Sequence, residues 1–462
     1  MIRLLQHKAF FLFAILLVLT SSPVAVIEYY LVDAQEDNDE EGQDIPDVNV
    51  SIGGETPIVR DTNLEIEVVA EGLRFPTTMA FLGPNDFLVL EKEKGTVQRI
   101  VNGKILSEPL LDVNVATSQE RCMCGVAVSK HIPGHIYVFL YYTEAESADA
   151  EDITEGKDPI GNRLYRYELV NNKLVNAKLI LDLPATPGPR HNGGAIMIGS
   201  ADNNLYIPVG DVDGSFNPKG QFVRTMTQNY LNSTLVDGRS GILRVDMDSK
   251  PIYGQGILGD KHPLDYYYAY GIRNSFGIDF DPLTGNLWDT ENGPAYGDEI
   301  NLVKPGFNSG YTPIQGIWSH GVDPKSNIST WKIASPNSNT LVDFDGRGNY
   351  SAPEFIWAET IGVTAIKFFH SDKFGEQYEE DIFIGSIVIG NIYHFDLNED
   401  RTQLVLTGEL EDKIAETRET GAEDIVFGEG FAGVSDLEVG PDGYLYVVSL
   451  GQGKIFRVVP SS

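Results

Sequence analysis

The sequence predicts an all-β fold, a six-bladed β-propeller of four-stranded antiparallel blades, on three observations. Apolar residues alternate with period two in short runs, and none of the runs has the 3.6-residue spacing of a useful helix. A two-strand unit recurs six times from about Leu64 to the C-terminus. Turn formers are abundant, with 47 Gly and 24 Pro in 462 residues, so many tight connections are available.

Each unit has a turn with Gly, Asn or Asp, a strand of Leu or Ile, aromatic and Val residues, a polar loop, and a second strand. The first three pair Asp86–Leu90 with Gly95–Ile100, Gly134–Tyr142 with Asn162–Leu169, and Asn204–Val209 with Gly241–Asp246. The last three pair Asn286–Thr290 with Glu299–Val303, Asp381–Gly385 with Gly390–Leu397, and Gly443–Ser449 with Gly453–Val459. A pair of sandwiches would not repeat one strand signature from end to end. A propeller does, and its axial funnel offers room for a site.

The ends of the chain read differently from this body, which spans residues 63–462. Residues 1–34 carry Arg3 and Lys8 ahead of an apolar run, the pattern of an export signal, with Val32-Asp33-Ala34 as the cleavage region and an uncleaved anchor as the alternative. Either way the body is expected outside the cytoplasm, secreted or held at the outer face of the membrane. Sequons at Asn49, Asn232, Asn327 and Asn349 agree with export. Residues 35–62 are acidic and poor in aromatics, and are expected to be a flexible linker.

The formal net charge of −33 repels phosphate backbones and anionic headgroups, which excludes nucleic acid and leaves the N-terminus as the one route to a membrane. Cys122 and Cys124 are the only cysteines. Zinc needs about four ligands, so one pair does not make a zinc site. Two small buried thiols are expected in preference to a strained bridge or a redox or copper role.

The richest stretch is Gly271–Asn301, where an Arg-Asn pair precedes two alternating runs and a polar loop from Glu291 to Glu299. Glu291, Asn292, Asp298 and Glu299 are hard oxygen donors around Gly293-Pro294, which suits calcium better than zinc; a solvated acidic turn is the alternative. Upstream, His191 in Pro-Arg-His-Asn-Gly-Gly is a candidate general base. Asp211 and Asp213 follow the next strand and should lie at the same end, where a carboxylate could orient the imidazole or simply form a turn. His7, His131, His135, His262, His320, His370 and His394 show no partner pattern and read as structural.

Several stretches resemble the pyrroloquinoline quinone (PQQ) dependent glucose/sorbosone dehydrogenase family. They are Gly72-Leu-Arg-Phe-Pro with Met79-Ala-Phe-Leu, Cys124-Gly-Val-Ala-Val, His191-Asn-Gly-Gly, Leu205–Asp211, Gly241-Ile-Leu-Arg-Val, Tyr270-Gly-Ile-Arg-Asn, Glu291-Asn-Gly-Pro through Asp298-Glu-Ile-Asn-Leu, and Gly440-Pro-Asp-Gly-Tyr-Leu-Tyr-Val. They cover nearly the whole body in the family's order. The resemblance implies a six-bladed propeller acting outside the cytoplasm on a sugar, with PQQ and Ca2+ as cofactors and an external electron acceptor. His191 would be the base and Asp211 its partner. Arg273 and Asn274 would contact the quinone, with Arg273 stabilising its developing charge. Gly293 and Pro294 would ligate calcium through their carbonyls, beside Asp298 and Glu299, which the chemistry of the loop itself offers as donors. Trp357 would line the cofactor cleft, and Glu120 would stand near the sugar.

The family's cationic clamp for the tricarboxylate cofactor is a lysine and two arginines, and these positions align with Val388, Gly433 and Ser435. Two other readings therefore stand beside the dehydrogenase: a calcium-stabilised propeller that binds a glycan or protein without catalysis, and a calcium-dependent hydrolase of the lactonase kind.

Overall fold

The computed structural model describes residues 56–129, 133–146, 159–212, 227–229, 236–250, 252, 256–294, 296–319, 333–334, 341–418 and 421–461. The predicted leader and most of the linker, the sequons at Asn49, Asn232 and Asn327, and Asp213, His7, His131 and His320 lie outside them.

The chain is an all-β propeller, and no α-helix occurs among the described residues. Each of the six predicted strand pairs is an antiparallel ladder. Each pair sits within a larger sheet, and among the described residues, besides a two-stranded hairpin, there are six sheets of four to six strands. Uniform four-stranded antiparallel blades are not what forms. Two sheets have four strands, three have five and one has six. Some of the additions are parallel: Phe307–Asn308 joins Tyr267–Tyr270 and Asn349–Tyr350, and Ile414–Ala415 joins Phe355–Trp357. The long connections thus return to cover sheet edges that would otherwise expose unpaired N–H and C=O groups.

The first strands of the sheets are Pro76–Gly83, Met123–Ser129, Met197–Ile198, Ser275–Phe280, Val363–Phe369 and Val434–Val439. They meet in that order and the last returns to the first, with the third sheet reaching the fourth through Leu205–Val209. Separate apolar clusters fill the spaces between neighbouring sheets. One packs Phe139 and Tyr141 against Ile207 and Leu243, and another packs Trp288 and Trp357 against Ile366 and Tyr393. Both faces of inner strands such as Leu205–Val209 and Leu445–Ser449 are therefore removed from water, whereas outer strands such as Leu64–Glu71 and Lys173–Leu183 mix buried with exposed residues.

The ends of the body close the ring. Leu64–Glu71 pairs with Lys454–Pro460, so the last sheet contains both termini of the body. Ile58–Val59 already pairs with Val426–Glu429, so the linker predicted over 35–62 ends in a strand that covers an edge.

Candidate functional site

His191 sits between the second and third sheets at φ +58°, a left-handed conformation, and is buried. Its Nδ1 lies 2.6 Å from Asp211 Oδ1. Asp211 follows the strand Leu205–Val209, and its backbone N–H donates to the Arg273 carbonyl at 2.9 Å. Gly210 makes this convergence possible, because a Cβ there would lie 2.4 Å from the His191 carbonyl oxygen and 2.7 Å from that of Arg273. Asp211 is fully buried and its Oδ2 has no hydrogen-bond partner. Burial pushes its carboxyl up to about 7, against the pull of the Arg273 and Arg239 guanidinium groups.

Glu120 ties this pair to the opposite side of the site. Its Oε2 accepts from the His191 backbone N–H at 2.6 Å and from Asn274 Nδ2 at 3.2 Å. Asn274 is buried and its Oδ1 has no partner, so one acceptor remains for a ligand N–H or O–H. Arg273 donates through Nη1 to the carbonyls of Asn292 and Gly293 at 2.7 and 2.9 Å, and its backbone N–H donates to Glu291 at 2.7 Å. The fold thus brings His191, Asp211, Glu120, Arg273 and Asn274 into one connected group.

Cys122 and Cys124, expected as thiols, are joined in a disulfide whose Cα atoms lie 5.2 Å apart. The bridge backs this group: Cys124 Sγ is 3.9 Å from the Glu120 carbonyl, and a Cβ on Gly194 would come within 2.9 Å of Cys124 Cβ. One intervening residue looked too short a span, but a local bulge between Met123 and Gly125 reshapes the strand here.

The expected calcium turn differs in the structure. Glu291 ends one strand and Asp298 and Glu299 begin the next, all three buried, so this is no solvated loop. The Gly293 carbonyl is taken by the Arg273 guanidinium, a poor neighbour for a divalent cation. Asp298 is also committed, accepting from the backbone N–H groups of Gly293, Ile361 and Gly362 at 2.9, 2.8 and 2.7 Å.

The oxygens that do fit a hard cation lie one strand inward. Asp289 and Glu291 stand directly opposite Asn301 and Glu299 in the antiparallel ladder, so period two puts all four on one face. Asp289 accepts no backbone N–H, only the side chains of Asn301 and Ser275 lie beside its carboxylate, and Asn301 Oδ1 has no partner. Burial pushes Glu291 and Glu299 up to about 8, with Glu299 adding to the first and Asp289 to the second. Glu291 already accepts from the Arg273 backbone N–H and Ser309 Oγ, and Glu299 from Gln315, Gly316 and Asn301, so the open oxygens in this cluster are those of Asp289 and Asn301, hard donors of the kind calcium takes. Sequence reasoning missed Asp289, Ser275 and Asn301. The signal was there, since an acid at an inward position of the apolar run Leu287–Glu291 has no reason to be buried without a partner.

Trp357, expected in the cleft, is instead fully buried between the fourth and fifth sheets. Its ring centroid lies 4.8 Å from Phe355 and 5.3 Å from Tyr393. Strand alternation turns it toward the intersheet core, and its likeness to a cleft aromatic is positional only.

The uncharged clamp positions lie near the same ends of the strands. Val388 N–H donates to the Ile361 carbonyl at 3.3 Å, next to the residues that hold Asp298, and Ser435 Oγ donates to the Pro76 carbonyl at 2.8 Å. Lys92 is a further cation here. Its Nζ donates to the Thr117 carbonyl at 3.2 Å, and burial lowers its pKa while Glu93 and Glu120 pull it back.

Residues 73–457 match the family model described as Glucose / Sorbosone dehydrogenase. The chain is 23% identical to aldose sugar dehydrogenase YliI of Escherichia coli, over 86% of this chain and 93% of that protein. It is 25% identical to quinoprotein glucose dehydrogenase B of Acinetobacter calcoaceticus, over 56% of this chain and 54% of that one. The PQQ-bound aldose sugar dehydrogenase of Streptomyces coelicolor has the same fold, with a TM-score of 0.57 at 20% identity over 88% of this chain and all of that one.

Proposed function

Because the chain belongs to the glucose/sorbosone dehydrogenase family, we propose that it oxidises an aldose with PQQ as its cofactor, outside the cytoplasm, in a ring of six blades. The observation that carries this reading is the buried His191–Asp211 pair, 2.6 Å apart and joined through Glu120 to Asn274.

With Nδ1 held by Asp211, the remaining ring nitrogen of His191 takes the proton from the anomeric hydroxyl. The carboxylate fixes the imidazole and stabilises the imidazolium that forms. The C–H electron pair leaves with its hydrogen as hydride, and the C–O bond becomes a carbonyl. PQQ, when bound, would supply the two-electron acceptor for that hydride, and an external acceptor would take the electrons on. Arg273 and Asn274 would hold the quinone, where the Arg273 cation would stabilise negative charge. Glu120 keeps the His191 backbone and Asn274 in fixed relation. Asp289, Glu291, Glu299 and Asn301 would hold calcium behind the Arg273 loop.

Dye reduction by the purified chain with Ca2+, PQQ and an aldose tests this. His191→Ala should lower the rate about 10²–10⁴-fold. Undiminished turnover in that variant, or none at saturating PQQ, would overturn it.

The absence of charge at Val388, Gly433 and Ser435 favours a second reading, a propeller that binds a glycan or protein without redox chemistry. Calorimetry separates the two, since tight stoichiometric PQQ binding removes the second.

A further inference from the structure

The fifth sheet carries a cluster that the proposed reaction does not use. Its strands Asp381–Ser386 and Ile392–Phe395 pair Phe383 with His394 and Ile382 with Phe395. One step further along that register, Asp381 faces Asp396, and period two sets both on the same side as His394. His394 Nε2 lies 2.8 Å from Asp381 Oδ2 and 3.7 Å from Asp396 Oδ1. One donor atom from each of the three residues falls within 4.8 Å of the others.

We propose that Asp381, His394 and Asp396 form a structural site for a divalent transition-metal ion, Zn2+ in preference to Ca2+. Three donors each about 2.1 Å from such an ion lie about 3.0–3.4 Å from one another, so the observed separations need only small side-chain shifts. The imidazole nitrogen sets the preference, because calcium takes oxygen donors. Two carboxylates directly opposed across an antiparallel pair repel each other, and a dication turns that repulsion into ligation. The imidazole is held edge-on by Tyr378, 5.0 Å away between ring centroids, and packs on Phe383 at 5.1 Å. Access needs no opening of the core, since the Asp396 side chain is 60% exposed. Beside the cluster lies a cavity of about 160 Å3 whose lining includes His394, Asp396, Thr407 and Asp424, so solvent and an ion can reach the cluster from it.

The site does not depend on the proposed dehydrogenase activity. Its test is titration of the full chain with Zn2+, after chelator treatment and saturation with Ca2+. One equivalent of Zn2+ should bind, with affinity reduced at least tenfold in both His394→Ala and Asp396→Asn. Co2+ in place of Zn2+ should give visible absorption in the native chain and none in His394→Ala. If His394→Ala fails to fold, as judged by circular dichroism in chelator, the exposed Asp396→Asn carries the comparison. Equal Zn2+ binding by native and variant chains, or only weak multiple equivalents spread over an acidic surface, would overturn the proposal.

Discussion

Asp298 and Asp289 are both fully buried carboxylates on adjoining strands of the fourth sheet, yet their surroundings are opposite. Asp298 accepts three backbone N–H bonds, from Gly293, Ile361 and Gly362. Asp289 accepts no backbone N–H bond and has the Asn301 and Ser275 side chains beside it. Burial raises both carboxyls; the three backbone donors pull Asp298 back, whereas Glu291 pushes Asp289 further up against the weaker pull of the Asn301 and Ser275 side chains. The first carboxylate joins the Gly293 turn to the Ile361–Gly362 segment and is part of the scaffold. The second is kept costly by the fold, which is how a waiting ligand site differs from a structural anchor.

Removing the anchor should give the largest effect. Asp298→Ala strands three buried N–H groups, each costing about 1–3 kcal/mol, so urea denaturation should show a loss of at least about 3 kcal/mol. If the loss is below 1 kcal/mol, the contrast with Asp289 does not hold.

Asp289→Asn should behave in the opposite way. In chelator it should be at least as stable as the native chain, because a costly charge is gone. With calcium at about 100 times its Kd, the native chain should gain about 2.7 kcal/mol and the variant little, measured as the calcium-dependent shift in Tm. Equal shifts would remove calcium from this cluster.

The uncharged clamp positions offer a gain rather than a loss. Val388→Lys restores one positive charge, and one charge-assisted contact of about 1.5–3 kcal/mol should tighten PQQ binding about tenfold or more in calorimetry. No change would mean that a bound cofactor does not approach this position.

The smallest effect concerns pH. Asp211 is raised from 3.8 to about 7 in the fold. Turnover should fall as pH drops through about 7 and the carboxylate that holds His191 becomes protonated, and Asp211→Asn should lose that dependence along with rate. The sign for stability is reversed. The folded chain holds this proton more tightly than the unfolded chain, so the group's contribution to stability declines as pH rises from about 4 through 7.

The residues that the structure brings together around His191 were legible in the sequence as short loop motifs between strands. His191, Asp211, Arg273 and Asn274 all lie in connections between strands that carry a glycine within two or three residues. Trp357 was misplaced because strand alternation, not residue type, decides which side of a sheet a side chain takes. Asp298 reads as a ligand in the sequence because a string of acids does not reveal which of them the backbone will satisfy. Cys122 and Cys124 read as thiols because the bulge that lets them bridge depends on the neighbouring strand.

By itself the sequence determined the strand pairs, since alternation and turn chemistry act over a few residues and need no distant partner. Only the tertiary structure decided that Glu120 would join His191 to Asn274, and that Asp289 would be left without a backbone donor. Those contacts join residues 71 and 154 positions apart in the first case. In the second, the burial comes from packing of the fourth sheet against the fifth. Desolvation is a property of that packing, and it raises the carboxyls of Asp289, Glu291 and Glu299.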